Sequence, residues 1–181
     1  LLFSLGVTKG KWGSLVAGLM EFKKHYDSNA SLELVMPELV ASHGERYAGM
    51  GLKDLADAMH QDMLASKLLH NMDAAFSLLP DVVSSPRATF AKLVKGQIEQ
   101  IAVRDMLDRT VAVQVVPYPP GIPLMMPGEK AGADKQAIID YLLAMELFDS
   151  HFPGFEHDNH GVEIERDGQG GLTYRVYVVK Q

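Results

Sequence analysis

In the first half of the chain, apolar positions recur every three or four residues, which is the period of amphipathic helices. Ser85 followed by Pro86 predicts a helix start, because serine caps a first turn and proline suits its first position. In that helix we expect Phe90, Leu93 and Val94 to face inward. The predicted helices cover residues 9–26, 37–50, 52–69, 71–79 and 86–96.

After Gly96 the pattern changes to β-branched runs, which are typical of strands. One further amphipathic helix is predicted at residues 135–150, from the apolar spacing of Ile138, Tyr141, Leu142, Met145 and Phe148. Helices first and strands later predict an α+β fold, with N-terminal helices followed by a small mixed or antiparallel sheet. The predicted strands cover residues 1–6, 98–103, 110–116 and 124–126, and a terminal hairpin covers 161–166 and 172–179.

Residues 117–129, Pro-Tyr-Pro-Pro-Gly-Ile-Pro-Leu-Met-Met-Pro-Gly-Glu, form a stretch rich in proline and glycine. Each proline fixes its own φ and favours extended geometry in the preceding residue. Proline followed by glycine is typical of a type II turn. The stretch therefore predicts a stiff loop that presents one phenol, Tyr118, and one carboxylate, Glu129.

This loop resembles the Tyr-Pro-Pro-Gly-Ile/Val-Pro…Pro-Gly-Glu signature in the C-terminal domain of the bacterial ornithine/lysine/arginine decarboxylases. Residues 3–13 are similar to the end of that family's cofactor-bearing region. Residues 151–157, His-Phe-Pro-Gly-Phe-Glu-His, with His-Gly-Val-Glu at 160–163, resemble most the acid-inducible arginine decarboxylases. The resemblance covers nearly the whole chain in the same order.

The family consists of large pyridoxal-phosphate enzymes with an aminotransferase-like fold. The resemblance implies that residues 1–28 are the closing strand and helix of that cofactor-bearing fold, and that residues 29–181 are the dedicated C-terminal domain. It implies conversion of arginine to agmatine and carbon dioxide by the whole protein, with lysine or ornithine as alternative substrates. It further implies a cytoplasmic enzyme of acid resistance and polyamine metabolism, which assembles as dimers or as pentamers of dimers.

The chain lacks the residues that hold the cofactor in this family. There the lysine that binds pyridoxal phosphate follows histidine in a Ser-x-His-Lys segment, and no His-Lys pair occurs here. A Gly-rich phosphate loop is also absent from the sequence. We therefore expect no catalytic, cofactor-binding or metal-binding residue in this chain, no activity from it alone, and a cofactor bound by a preceding N-terminal part.

For a chain without the cofactor site, the resemblance implies that it lines the channel to the active site and supports subunit contacts. Tyr118 could hydrogen-bond the substrate carboxylate or stack on its distal cation, although a core tyrosine is an equal alternative. Glu129 could attract that cation, but a solvated turn residue or a cap is the commoner role. Four residues are expected to shape the loop without chemistry of their own: Pro119, Pro120, Gly121 and Pro123.

Three imidazoles and two carboxylates lie within ten residues of one another. Such groups can bind zinc, but the turn around Pro153 and Gly154 gives no sign that they converge. We expect instead a turn whose polar groups cap neighbouring elements, with pH sensing by the histidines as a further hypothesis. The residues are His151, Glu156, His157, Asp158 and His160.

Composition excludes several other classes. Hydrophobic residues make up 47% and charged residues 22%, as in ordinary globular proteins. A formal net charge of −6 argues against a nucleic-acid or anionic-membrane partner and suits a small cationic substrate. The chain has no cysteine, so disulfides are impossible. A non-catalytic assembly or regulatory module remains the alternative from another class.

Overall fold

The computed structural model describes residues 8–118, 120–168 and 171–181, with Lys9 described by its backbone alone. Helices and short antiparallel sheets make up the described chain, which confirms the α+β class. The strand predicted at residues 1–6 lies outside the described residues. Two compact units are present, residues 1–60 and 61–181. The domain boundary expected between residues 28 and 29 stays a prediction.

The first unit is helical in its described part. Helix α1 follows the predicted bounds, but Trp12, Leu19 and Phe22 are exposed on it. The single helix predicted at residues 37–50 is instead two short ones, separated at His43, whose φ of −134° is not helical. The helices are α1 (Lys9–Asp27), α2 (Leu32–Val35), α3 (Pro37–Ser42), α4 (Gly44–Tyr47) and α5 (Leu52–Ala65), which continues into the second unit.

The helix predicted to continue from Leu52 to about Leu69 is interrupted. Helix α5 ends at Ala65, and Lys67 adopts a left-handed conformation with φ of 54°. A residue in that region cannot continue a right-handed helix, so a new helix, α6 (Leu68–Phe76), begins after it. The helix predicted at 71–79 is the later part of α6.

Helix α7 (Pro86–Val94) begins as predicted, because the Ser85 hydroxyl accepts the Ala88 amide at 3.3 Å. Its predicted inward face is wrong: Phe90 is 63% and Val94 68% exposed, and Leu93 is partly buried. The fully buried position is Thr89, whose hydroxyl lies 2.6 Å from that of Ser84. The buried side of the helix is thus the side of Thr89 and not the apolar stripe.

Within the part of the chain that the structure describes, the strands form three small antiparallel sheets, in the orders β2–β7–β6, β1–β4 and β3–β5. The predicted terminal hairpin is confirmed by pairing of Val162 with Val176 through Arg166 with Leu172. Of the strand predicted at 110–116, Thr110, Val111 and Val115 form isolated bridges and Val116 begins β3. At the predicted strand 124–126, the described residues show the bridge of Met125 with Val115. The strands are β1 (Asp81–Val82), β2 (Ile98–Ala102), β3 (Val116–Tyr118), β4 (Glu129–Lys130), β5 (Asp158–His160), β6 (Val162–Arg166) and β7 (Leu172–Val179).

The core of the second unit surrounds helix α8 (Gln136–His151), which packs against α6 and β7. Phe76 of α6 meets Tyr141 of α8 with ring centroids 5.9 Å apart. Alternate residues of β7, among them Tyr174 and Val176, are fully buried beside them. The apolar positions predicted for this helix are confirmed as buried: Ile138, Tyr141, Leu142, Met145 and Phe148.

Candidate functional site

The proline-rich loop leaves the body of the second unit through the short sheet β3–β5. Tyr118 is paired with Asp158, and Pro117 with Asn159. Proline cannot donate to a ladder, which confines it to an edge such as this two-stranded pair. The Gly121 amide closes the turn by donating to the Pro117 carbonyl at 2.9 Å.

The predicted loop-shaping residues differ in what the structure assigns to them. Gly121 has φ of +75°, and a Cβ there would lie 3.0 Å from Tyr118 Cδ2, so glycine is needed both for the turn and for the ring beside it. Pro120 and Pro123 lie in the exposed part of the loop. Pro119 lies outside the described residues.

Tyr118 is 59% exposed. It is therefore not the core tyrosine that the sequence left open as the alternative. Its position after two buried strand residues, Val116 and Pro117, holds the ring at the surface on a fixed backbone. Direct contact with a substrate stays a prediction.

Glu129 has a local role in this structure. Its Oε2 accepts the Met126 amide at 2.7 Å, which closes the second Pro-Gly turn. The residue lies in β4, paired with Val82 of β1, and so belongs to a different sheet from Tyr118. The capping role named as the commoner alternative is thus present, and attraction of a cation by Glu129 stays a prediction.

The five ligand-type residues after helix α8 are distributed among separate partners. His151 Nδ1 lies 2.5 Å from Asp62 Oδ1, and His157 Nδ1 lies 2.6 Å from Asp149 Oδ1. Glu156 pairs with Arg166, whereas His160 lies 3.9 Å from Asp158. Across residues 8–118, 120–168 and 171–181, no three histidine or carboxylate groups are arranged to hold a metal ion.

Sequence reasoning missed a buried polar cluster beneath β5. The carboxylate of the fully buried Asp149 accepts three hydrogen bonds. Two come from His157, one from its backbone amide at 3.1 Å and one from its ring Nδ1–H, and the third comes from the Tyr174 hydroxyl. Asn159 donates to that hydroxyl at 3.1 Å. Burial, followed by the hydrogen bond to Asp149, raises the pKa of Tyr174 far above its ordinary value, so the phenol remains a donor.

A sequence signal for this cluster existed. Asp149 follows Leu142 and Met145 at helical spacing, which places a carboxylate on the apolar face of α8. A buried carboxylate needs donors to remain charged, and here the start of β5 supplies them. The cluster therefore fixes the strand that carries Asp158 and, through it, the position of Tyr118.

Lys135 does not fit the role of a lysine that binds pyridoxal phosphate. That chemistry needs a neutral amine, which proteins obtain by lowering the pKa of a lysine. Lys135, whose side chain is only 13% exposed, is held 2.7 Å from Asp81 and 3.2 Å from Asp134. The hydrogen bonds from Asp81 and then Asp134 raise its pKa, which is the opposite requirement.

Comparison with known proteins decides the family. The model of "Orn/Lys/Arg decarboxylase, C-terminal domain" matches residues 69–180. The chain belongs to this family. The resemblance of the loop residues is thereby confirmed at the level of the family.

Individual relatives include enzymes named for different substrates. The chain is 42% identical over 181 residues to lysine decarboxylase LdcA of Pseudomonas aeruginosa, covering 100% of this chain and 24% of that protein. It is also 42% identical over 163 residues to the biodegradative arginine decarboxylase of Escherichia coli, covering 90% of this chain and 22% of that protein. The chain thus spans about a quarter of the length of these curated relatives.

Solved structures give the same result. Lysine decarboxylase A from Pseudomonas aeruginosa superposes with a TM-score of 0.90 at 43% identity, over 99% of this chain and 24% of that one. The constitutive lysine decarboxylase of E. coli gives a TM-score of 0.88 at 37% identity, over 99% of this chain and 25% of that one.

None of the helices in the described parts of our chain has the length and apolar character required to cross a bilayer.

Proposed function

We propose that this chain is the C-terminal part of a pyridoxal-phosphate-dependent decarboxylase of basic amino acids. The observation that carries the proposal is the family match over residues 69–180, together with relatives named as decarboxylases across the chain. In the whole protein the chain lines the route to the active site and supports contacts with neighbouring subunits, as dimers or pentamers of dimers. It acts in the cytoplasm.

The cofactor belongs to the rest of the protein. Pyridoxal phosphate supplies an electron sink for the charge left behind when carbon dioxide departs. This chain contributes an exposed phenol on a stiff loop and the buried cluster that fixes the adjacent strand. The residues of this chain position the substrate. They exchange no proton with it.

Arginine is the favoured substrate, giving agmatine and carbon dioxide. The support is the resemblance of residues 151–163 to the acid-inducible arginine enzymes and the 42% identity with the E. coli biodegradative arginine decarboxylase. Decarboxylation consumes one proton per turnover, which suits a role in acid resistance and polyamine metabolism. Lysine is the second candidate, because LdcA is equally similar over the full chain.

Assaying the whole protein against arginine, lysine and ornithine, from mildly acidic to neutral pH, tests this proposal. We expect release of carbon dioxide, with arginine giving the highest kcat/KM. A preference for lysine would select the second candidate. If none of the three is decarboxylated, the assembly-module alternative replaces the enzyme.

Residues 1–181 alone serve as the matched comparison. We expect this chain to show neither the absorbance of protein-bound pyridoxal phosphate nor any turnover. Turnover of arginine by this chain alone would contradict the assignment of the cofactor to another part of the protein.

A further inference from the structure

The carboxylate that shares a surface with Tyr118 is Asp158. The two residues are directly paired across the antiparallel strands β3 and β5. Residues in this relation project from the same face of a sheet, with Cβ atoms about 4.5–5.5 Å apart. Both side chains are open to solvent, Tyr118 at 59% and Asp158 at 68% exposure. Glu129, by contrast, is engaged by the Met126 amide in another sheet.

Neighbouring residues restrain the backbone around both members of this pair. The Tyr118 ring lies beside Gly121, where a Cβ would stand 3.0 Å from Cδ2 and press on the ring. Strand β5 is fixed at its start by the hydrogen bonds from His157 to the buried Asp149. The backbone that carries the two side chains is therefore already ordered, and binding does not incur the cost of ordering it.

The charge of Asp158 is not neutralised by a lysine or arginine among residues 8–118, 120–168 and 171–181. The basic group that approaches it is His160, whose Nε2 lies 3.9 Å from Asp158 Oδ2, a long separation between two exposed side chains. An aromatic face beside an open carboxylate is suited to an organic cation, which stacks on the ring and donates to the oxygens. A guanidinium does both, because it is planar and donates in a fork.

We propose that Tyr118 and Asp158 together bind the distal cation of the basic amino-acid substrate on its way to the active site. This inference rests on the proposed function and adds a specificity-determining residue, Asp158, to it. The site discriminates basic amino acids from neutral ones of the same length, because an apolar terminus gains nothing from the carboxylate.

The test uses the whole protein and the variant Asp158→Asn. We expect KM for the preferred substrate to rise about two- to fivefold with kcat little changed, as befits an exposed ion pair reinforced by one aromatic face. Raising the ionic strength should raise the KM of the wild-type protein more than that of the variant, because salt screens the charge of Asp158, which the variant lacks. Asp158→Glu should restore most of the affinity.

Asp105→Asn is the matched control, because it removes the same charge from another exposed residue, in the 3₁₀ turn Val103–Asp105 outside the β3–β5 sheet. It should leave KM unchanged. If the enzyme is active and the two variants have the same KM, the assignment of Asp158 is overturned and the proposed function is left standing. Absence of decarboxylation by the wild-type protein would instead overturn both.

Discussion

At the scale of single residues, Asp149 has the most demanding environment in the second unit. A fully buried carboxylate costs several kcal/mol unless donors surround it. Here Tyr174 and His157 provide those donors, and Asn159 donates in turn to the Tyr174 hydroxyl. Helix α8, strand β7 and strand β5 are thus joined at one point by polar contacts.

Tyr174→Phe removes one of these donors while keeping the ring. We expect the free energy of unfolding to fall by about 1–3 kcal/mol, because the buried Asp149 loses a hydrogen bond that no water replaces. Urea denaturation of residues 1–181 would measure it. Tyr177→Phe, at a partly buried position of the same strand, is the control and should cost much less. Equal losses would show that the cluster contributes no special stability.

At the scale of elements, the start of helix α5 is stabilised by a side chain from outside the helix as well as by the helix's own residues. Asn29, in a left-handed conformation with φ of 48°, accepts the Lys53 amide and donates to Asp54 at 2.9 Å. The Asn29 side chain, and then the Gly51 amide, lower the pKa of Asp54. The ionised carboxylate is therefore favoured in the folded chain.

This lowered pKa gives a direction to the pH dependence. Asp54 stabilises the folded state above its unfolded pKa of about 3.9, and the contribution is lost as pH falls through the lower folded value. Asp54→Asn should therefore accelerate amide exchange in the first turn of α5 at neutral pH, and the difference from wild type should vanish in strong acid. Asp73→Asn, at an exposed position of α6, is the control. A difference independent of pH would contradict the linkage.

At the scale of the whole chain, the core is unevenly divided between the units. The connected hydrophobic core runs from Leu68 to Val178, all within the second unit. Among the described residues of the first unit, the fully buried apolar side chains are Leu32, Tyr47 and Leu55. Apolar burial is the main source of folding free energy, so the second unit has the greater stability.

We expect a protein comprising residues 61–181 to fold by itself. Its thermal unfolding should be cooperative, and its amide spectrum should show the dispersion of a packed core. Residues 1–60 form the matched comparison and should lack a cooperative transition. Failure of residues 61–181 to fold would mean that contacts beyond its own core are required.

Local features of the fold could be predicted from sequence because their causes are local. The cap at Ser85 and the buried face of α8 follow from residues that are neighbours in the chain. The hairpin of β6 and β7 follows from alternation around a Gly-rich turn. The inward face of α7 could not be predicted from its apolar stripe, since Phe90 and Val94 are exposed and the buried position, Thr89, contacts Ser84, which precedes the helix.

The residues of the loop by themselves predicted a stiff loop with a phenol within it, and they carried the resemblance to the family, which the match over residues 69–180 confirms. Tertiary structure alone decided that Tyr118 faces solvent and that its carboxylate neighbour is Asp158 rather than Glu129. The physical reason is that backbone stiffness comes from adjacent prolines, whereas strand partners are chosen by pairing between segments forty residues apart in the chain.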